Sequence, residues 1–80
     1  DVGAESAPAR LEREEREARL RAAVATLPAK QRAAVVLRMW HDLSHQEVAD
    51  VLGISEGAAK ANVFHAIRSL RRLLATEAIR

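Results

Sequence analysis

Leu43-Ser44-His45-Gln46-Glu47-Val48-Ala49-Asp50-Val51-Leu52-Gly53-Ile54-Ser55-Glu56 holds two helix starts and one helix stop in a single short run. Ser44 and Glu47 have the spacing of a capping box. The serine oxygen accepts from the amide three residues on, and the glutamate reaches back to the serine amide. Val48, Ala49 and Leu52 then face inward from a helix over 45–52. Gly53 ends that helix because only glycine takes the left-handed cap conformation without steric cost. Ile54 plugs the turn, and Ser55 caps the next helix. A short helix, a three-residue turn with glycine and a second helix are the plan of a helix-turn-helix. Each position has a role: Ala49 must be small where the second helix crosses, and Val63 locks that helix to the first.

Working outward, the last helix is expected over 56–75. Ala59, Val63, Ile67, Leu70 and Leu74 recur at intervals of four, four, three and four, an inward stripe. Upstream, Pro28 marks a break and suits a first helical turn. A helix over 29–41 should carry Ala33, Val36, Leu37 and Trp40 inward, with Val35 and Met39 alongside. Another over 9–26 should turn Leu20, Val24 and Leu27 to the core. Its first half, Arg10 to Arg19, is almost wholly charged and should stand in solvent with pairs such as Glu12–Arg16 and Glu15–Arg19. Residues 1–8 read as linker or frayed terminus. The predicted core is Val36, Val48, Ala49, Leu52, Ile54, Val63, Ile67 and Leu70.

Composition agrees with an all-α fold, a small bundle of about four helices. The 80 residues are 49% hydrophobic and only 2% aromatic, with three glycines and two prolines, which disfavours a sandwich or barrel. The absence of cysteine excludes disulfides, thiolate metal sites and thiol nucleophiles. No apolar run approaches the roughly 18 residues of a membrane span, so no membrane partner is expected. The chain starts at Asp1 rather than Met, which we read as a piece of a longer protein. Net charge is +2, unevenly spread: residues 1–19 are acidic on balance and residues 20–80 basic. A basic body points to an anionic partner such as nucleic acid. His41 and His45 have a metal-like spacing, but Ser44 breaks the helix between them and no third ligand is evident. No metal, cofactor or catalytic residue is expected, and no enzyme.

Leu43 to Gly57 resembles the promoter-recognition helix-turn-helix of bacterial sigma factors. Leu27-Pro28-Ala29-Lys30-Gln31-Arg32, followed by Val35 to Trp40, is similar to the helix that precedes it there. Lys60-Ala61-Asn62-Val63-Phe64-His65-Ala66-Ile67-Arg68 resembles the extracytoplasmic-function subgroup. The resemblance spans about residues 20–75. It implies the fourth conserved region, which binds the upstream (minus-35) promoter element and docks on the flap of the RNA polymerase β subunit. Residues 1–19 would then be linker and start of the first helix, and 20–80 the domain. It further implies an anti-sigma factor as partner and a cytoplasmic, nucleoid-associated location. Ala59 departs from the family, which commonly has Val there.

With Ala59, Val63 and Ile67 inward, Lys60, Phe64 and Arg68 form one outward stripe, and Ala61, His65 and Arg72 an adjoining one. Lys60, Ala61, Asn62, Phe64 and His65 are the expected base contacts, lysine suiting guanine acceptors and asparagine adenine. The resemblance itself puts the Phe64 position against DNA. Lys30, Arg32, Arg38, Ser55 and Arg68 are the expected backbone contacts. Glu56 suits the helix dipole but repels phosphate, and could accept from a cytosine amino group. Val35, Met39 and Leu73, at the edges of the inward stripes, either form a docking patch for polymerase or an anti-sigma factor or complete the core against the first helix. Two other readings fit the same motif. One is a protein-interaction module with little intrinsic DNA affinity. The other is a response-regulator output domain, although its dimerising last helix would here repel itself through Arg68, Arg71 and Arg72.

Overall fold

The computed structural model describes the backbone of residues 4–79 and the side chains of residues 4–76. Four helices follow one another: α1 (Ala7–Ala25), α2 (Ala29–Trp40), α3 (His45–Leu52) and α4 (Glu56–Ile79). No strand occurs among the described residues. The α4 helix packs against all three others and is the axis of the fold. At 24 residues it runs about 36 Å.

Helix ends follow the side chains that satisfy their orphan amides. The Ser44 hydroxyl accepts from the Glu47 amide at 3.1 Å, and the Ser44 amide donates to the Glu47 carboxylate at 2.9 Å. Gly53 sits at φ +67°. Its neighbour Ile54 donates to the Ala49 carbonyl at 3.0 Å, closing the helix in a Schellman motif. The Ser55 hydroxyl accepts from the Ala58 amide at 3.0 Å. Between α2 and α3 the chain turns through Asp42, at φ 55°, a conformation that Asp tolerates better than most residues. The Leu43 amide there donates back to the Leu37 carbonyl at 3.2 Å.

The core divides in two. One cluster joins α1, α2 and α4 through Ala23, Val24, Leu27, Val35, Ala66 and Leu70, with Leu20, Val36, Leu73 and Leu74 half-buried against it. The other joins α2, α3 and α4 through Ala34, Val48, Ala49, Ala59 and Val63, flanked by Leu37, Leu43, Leu52 and Ile54. Ile67 packs against both. No polar or charged residue is buried among the described residues. The backbone spans 45 × 32 × 14 Å, a flattened slab.

Several expectations need correction. The α1 helix begins at Ala7, because the Ser6 hydroxyl accepts from the Ala9 amide at 3.2 Å and Pro8 falls in the first turn. Residues 7 and 8 are therefore helix rather than linker, and 1–3 lie outside the described residues. The α4 helix continues past 75 to Ile79. In α1, Arg13 rather than the expected pairs carries the ion contacts: it meets Glu5 at 3.0 Å and Glu17 at 3.2 Å. The phase of α2 also differs. Ala34 and Val35 are fully buried, Ala33, Val36 and Leu37 half-buried, and Trp40 is 48% exposed. Of the expected core, Val48, Ala49, Val63 and Leu70 are buried, whereas Val36, Leu52, Ile54 and Ile67 are half-buried at its margin.

Candidate nucleic-acid interface

The surface of α4 is built outward from its buried stripe. Ala59, Val63, Ala66 and Leu70 face the core, so residues on the opposite side have no neighbour to pack on. Lys60, Phe64 and Arg68 lie along one exposed row, and Ala61, His65 and Arg72 along the next. Phe64 is 60% exposed, and its ring meets His65 edge-on at 5.5 Å between centroids. A large apolar ring left in solvent on a basic helix is the least expected feature of this surface. With Ile67, Arg68 and Arg71 it lines a shallow depression. Arg68, Arg71 and Arg72 extend positive charge toward the C-terminal half of the helix.

The N-terminal turn carries the one ion pair of α4 among the described residues. Glu56 Oε1 lies 3.6 Å from Lys60 Nζ, one turn further on, and both side chains are largely solvated. Ser55 is engaged as the cap of this helix. Asn62 stands apart from the other predicted base contacts. It is half-buried, about 160° round the helix from Phe64, and its Nδ2 donates to the Ala58 carbonyl at 2.9 Å.

The three basic residues of α2 do not share a face. Lys30 is exposed on one side of the first turn, and Arg32 is exposed on another, where its Nη1 donates to the Ala25 carbonyl at 3.3 Å. Arg38 is half-buried and donates to the Leu43 carbonyl at 3.3 Å, bracing the turn before α3. These backbone hydrogen bonds could not be read from the sequence, because they join different elements.

The expected docking patch is dismantled. Val35 has no exposed surface, and Leu73 is half-buried against the first cluster. Met39 is left 58% exposed. It joins a different surface, a cleft in two adjoining parts between α1 and the end of α2 that share Arg21 and Trp40, one lined also by Val24, Val36 and His41 and the other by Glu17, Leu20 and Met39. The cleft is not legible in the sequence, where the spacing of the apolar residues of α2 turns Trp40 to the core. Among the described residues no helix is long and apolar enough to cross a membrane, and no three His, Asp or Glu side chains are placed to hold a metal ion.

Comparison with known proteins agrees with the helix-turn-helix geometry. The family described as Sigma-70, region 4 matches residues 17–70. The chain is 43% identical over 54 residues to an RNA polymerase sigma-E factor of Streptomyces antibioticus, covering 68% of this chain and 30% of the relative. It is 44% identical over 48 residues to the sigma-E factor of Streptomyces coelicolor, covering 60% and 27% respectively. The chain thus spans under a third of the length of these relatives.

Proposed function

The chain belongs to the sigma-70 region 4 family, and from that premise we propose that it binds the upstream (minus-35) promoter element for a sigma factor directing RNA polymerase. The observation that carries this reading is the exposed Lys60–Phe64–Arg68 row, with Ala61 and His65 beside it, on the helix that follows the helix-turn-helix turn. The first turns of such a helix enter the major groove. There Lys60 would reach guanine acceptors, and Phe64, Ala61 and His65 would lie along base edges. Asn62 would contribute through its carbonyl oxygen, or by giving up its bond to Ala58. Arg68 would meet a phosphate, whereas the Ser55 hydroxyl stays with the Ala58 amide. Lys30, Arg32 and Arg38 would add contacts without sequence preference, Arg38 after leaving the Leu43 carbonyl. No catalytic step belongs to this reading, and the site of action is the nucleoid in the cytoplasm.

The cleft beside Met39 and Trp40 favours a second role. Exposed apolar surface on a domain this small suits a protein partner, and we assign it to the polymerase β flap or an anti-sigma factor.

The DNA reading is tested by selecting bound duplexes from a randomised library with this chain. Lys60→Ala and Arg32→Ala are then measured on the enriched sequence and its single-pair variants at two salt concentrations. Lys60→Ala should cost about 1–3 kcal/mol of discrimination at one base pair. Arg32→Ala should weaken every duplex alike and lower the salt slope by about one. If both shift all duplexes equally, Lys60 is not a base contact. If no sequence is enriched, the interaction-module reading replaces this one.

A further inference from the structure

The first turn of α4 carries a group that works against DNA. The Ser55 hydroxyl and carbonyl satisfy the amides of Ala58 and Ala59. The amides of Glu56 and Gly57 remain directed out of the helix end. A side chain at Gly57 would meet nothing within 4 Å, so this end is sterically open. An open helix N-terminus attracts any phosphate, whatever the sequence behind it. Here Glu56 stands at that end, exposed, with its carboxylate 3.6 Å from Lys60.

We propose that Glu56 is a specificity-determining residue, holding phosphates off the start of the recognition helix and admitting only a base edge that can donate to it. The inference rests on the promoter-binding reading above. Glu56 cancels the charge of Lys60, so the base-reading end of α4 is electrically neutral. Positive charge is left to Arg68, Arg71 and Arg72, two or more turns along. A cytosine amino group facing Glu56 would satisfy the carboxylate and free Lys60 for a guanine acceptor or a phosphate. A thymine or guanine oxygen in the same place sets acceptor against acceptor and keeps Lys60 held at the carboxylate, away from the bases. Discrimination therefore comes from a penalty on the wrong base as well as a gain on the right one.

The test compares wild type with Glu56→Gln on the selected duplex, on its single-pair variants and on an unenriched duplex. Glutamine keeps the size and removes the charge. At one base pair the variant should lose the preference for an amino-bearing base, cytosine above all, over thymine or guanine by about fivefold or more. It should bind the unenriched duplex about two- to fivefold more tightly, since the helix end no longer repels phosphate. Its salt slope should steepen by about one, as Lys60 is released to the backbone. An equal gain on every duplex, with preferences intact, would overturn the inference, because that is the signature of bulk charge alone. So would a variant indistinguishable from wild type. If the wild-type chain enriches no sequence, the promoter-binding reading fails and the inference falls with it.

Discussion

The two halves of the core are built by different means. In the helix-turn-helix half the buried residues are three alanines and two valines, so its helices approach closely. Its ends are fixed by Ser44, Gly53 and Ser55, each acting within five residues along the chain. In the seam between α1 and α4, leucines at 27 and 70 carry the buried bulk. The α2 helix that crosses it has Pro28 at its start and no side-chain cap. One half is set by local hydrogen bonds and tight small residues, the other by long-range apolar burial. The first should resist truncation and suffer from enlargement; the second should do the reverse.

The largest effect should come from breaking that contrast directly. Leu70→Ala should destabilise by about 2–5 kcal/mol, because it removes one of the two buried leucines that join α4 to α1 and opens a cavity there. Ala59→Leu should cost about 1–3 kcal/mol by overpacking the α3–α4 crossing. Chemical denaturation measures both, and because Ile67 belongs to both clusters each variant should still melt in one transition. Separate transitions for the two halves would show that Ile67 does not couple them. Next, Gly53→Ala tests the local half without touching its packing, since an added Cβ meets no atom within 4 Å. The expected cost of about 1–2 kcal/mol is that of a left-handed conformation alone. A lower denaturation midpoint with unchanged slope would show it.

A smaller effect concerns pH. The Ser44 amide, and after it the Ser44 hydroxyl, hold the Glu47 carboxyl below the usual carboxylate range. A depressed folded-state pKa gives stability that is present above the unfolded value, about 4.3, and is lost as pH falls through the folded value. The melting-temperature gap between wild type and Glu47→Gln should therefore be widest above about pH 4.3 and close on further acidification. A gap constant down to strongly acid pH would remove the carboxylate from the account. The smallest effect should be that of Leu11→Ala. Leu11 is exposed on the projecting half of α1, and the change should stay within about 0.5 kcal/mol.

The same division explains what was legible in the sequence. The capping box, Gly53 and Ser55 are local, and their spacing alone predicts α3 and the start of α4. The Ser6 cap and Pro8 carry the same kind of signal for α1, but the small, polar composition of residues 1–8 hides it. The phase of α2 was not legible. Apolar residues run round this helix at Ala33, Ala34, Val35, Val36, Leu37, Met39 and Trp40, so periodicity cannot choose among them. The helix lies between both clusters, with Val35 turned to one and Ala34, about 100° away, to the other. At the candidate interface, the clean stripe of α4 fixed the outward row of Lys60, Phe64 and Arg68. It did not show that Asn62 turns back to its own helix, or that Arg32 and Arg38 bond carbonyls on neighbouring segments. Those contacts depend on where separate elements meet.

The slab shape bears on how stability varies with temperature. A chain of this mass ordinarily folds to about 4,800 Å² of accessible surface, whereas this one keeps 5801 Å². Unfolding therefore newly hydrates about a tenth less surface than usual for its size. The heat-capacity increment follows that area and should be about 0.8–1.0 kcal/mol/K, toward the low end for 80 residues. A small increment bends the stability curve gently, so warming and cooling from the optimum each erode the fold slowly.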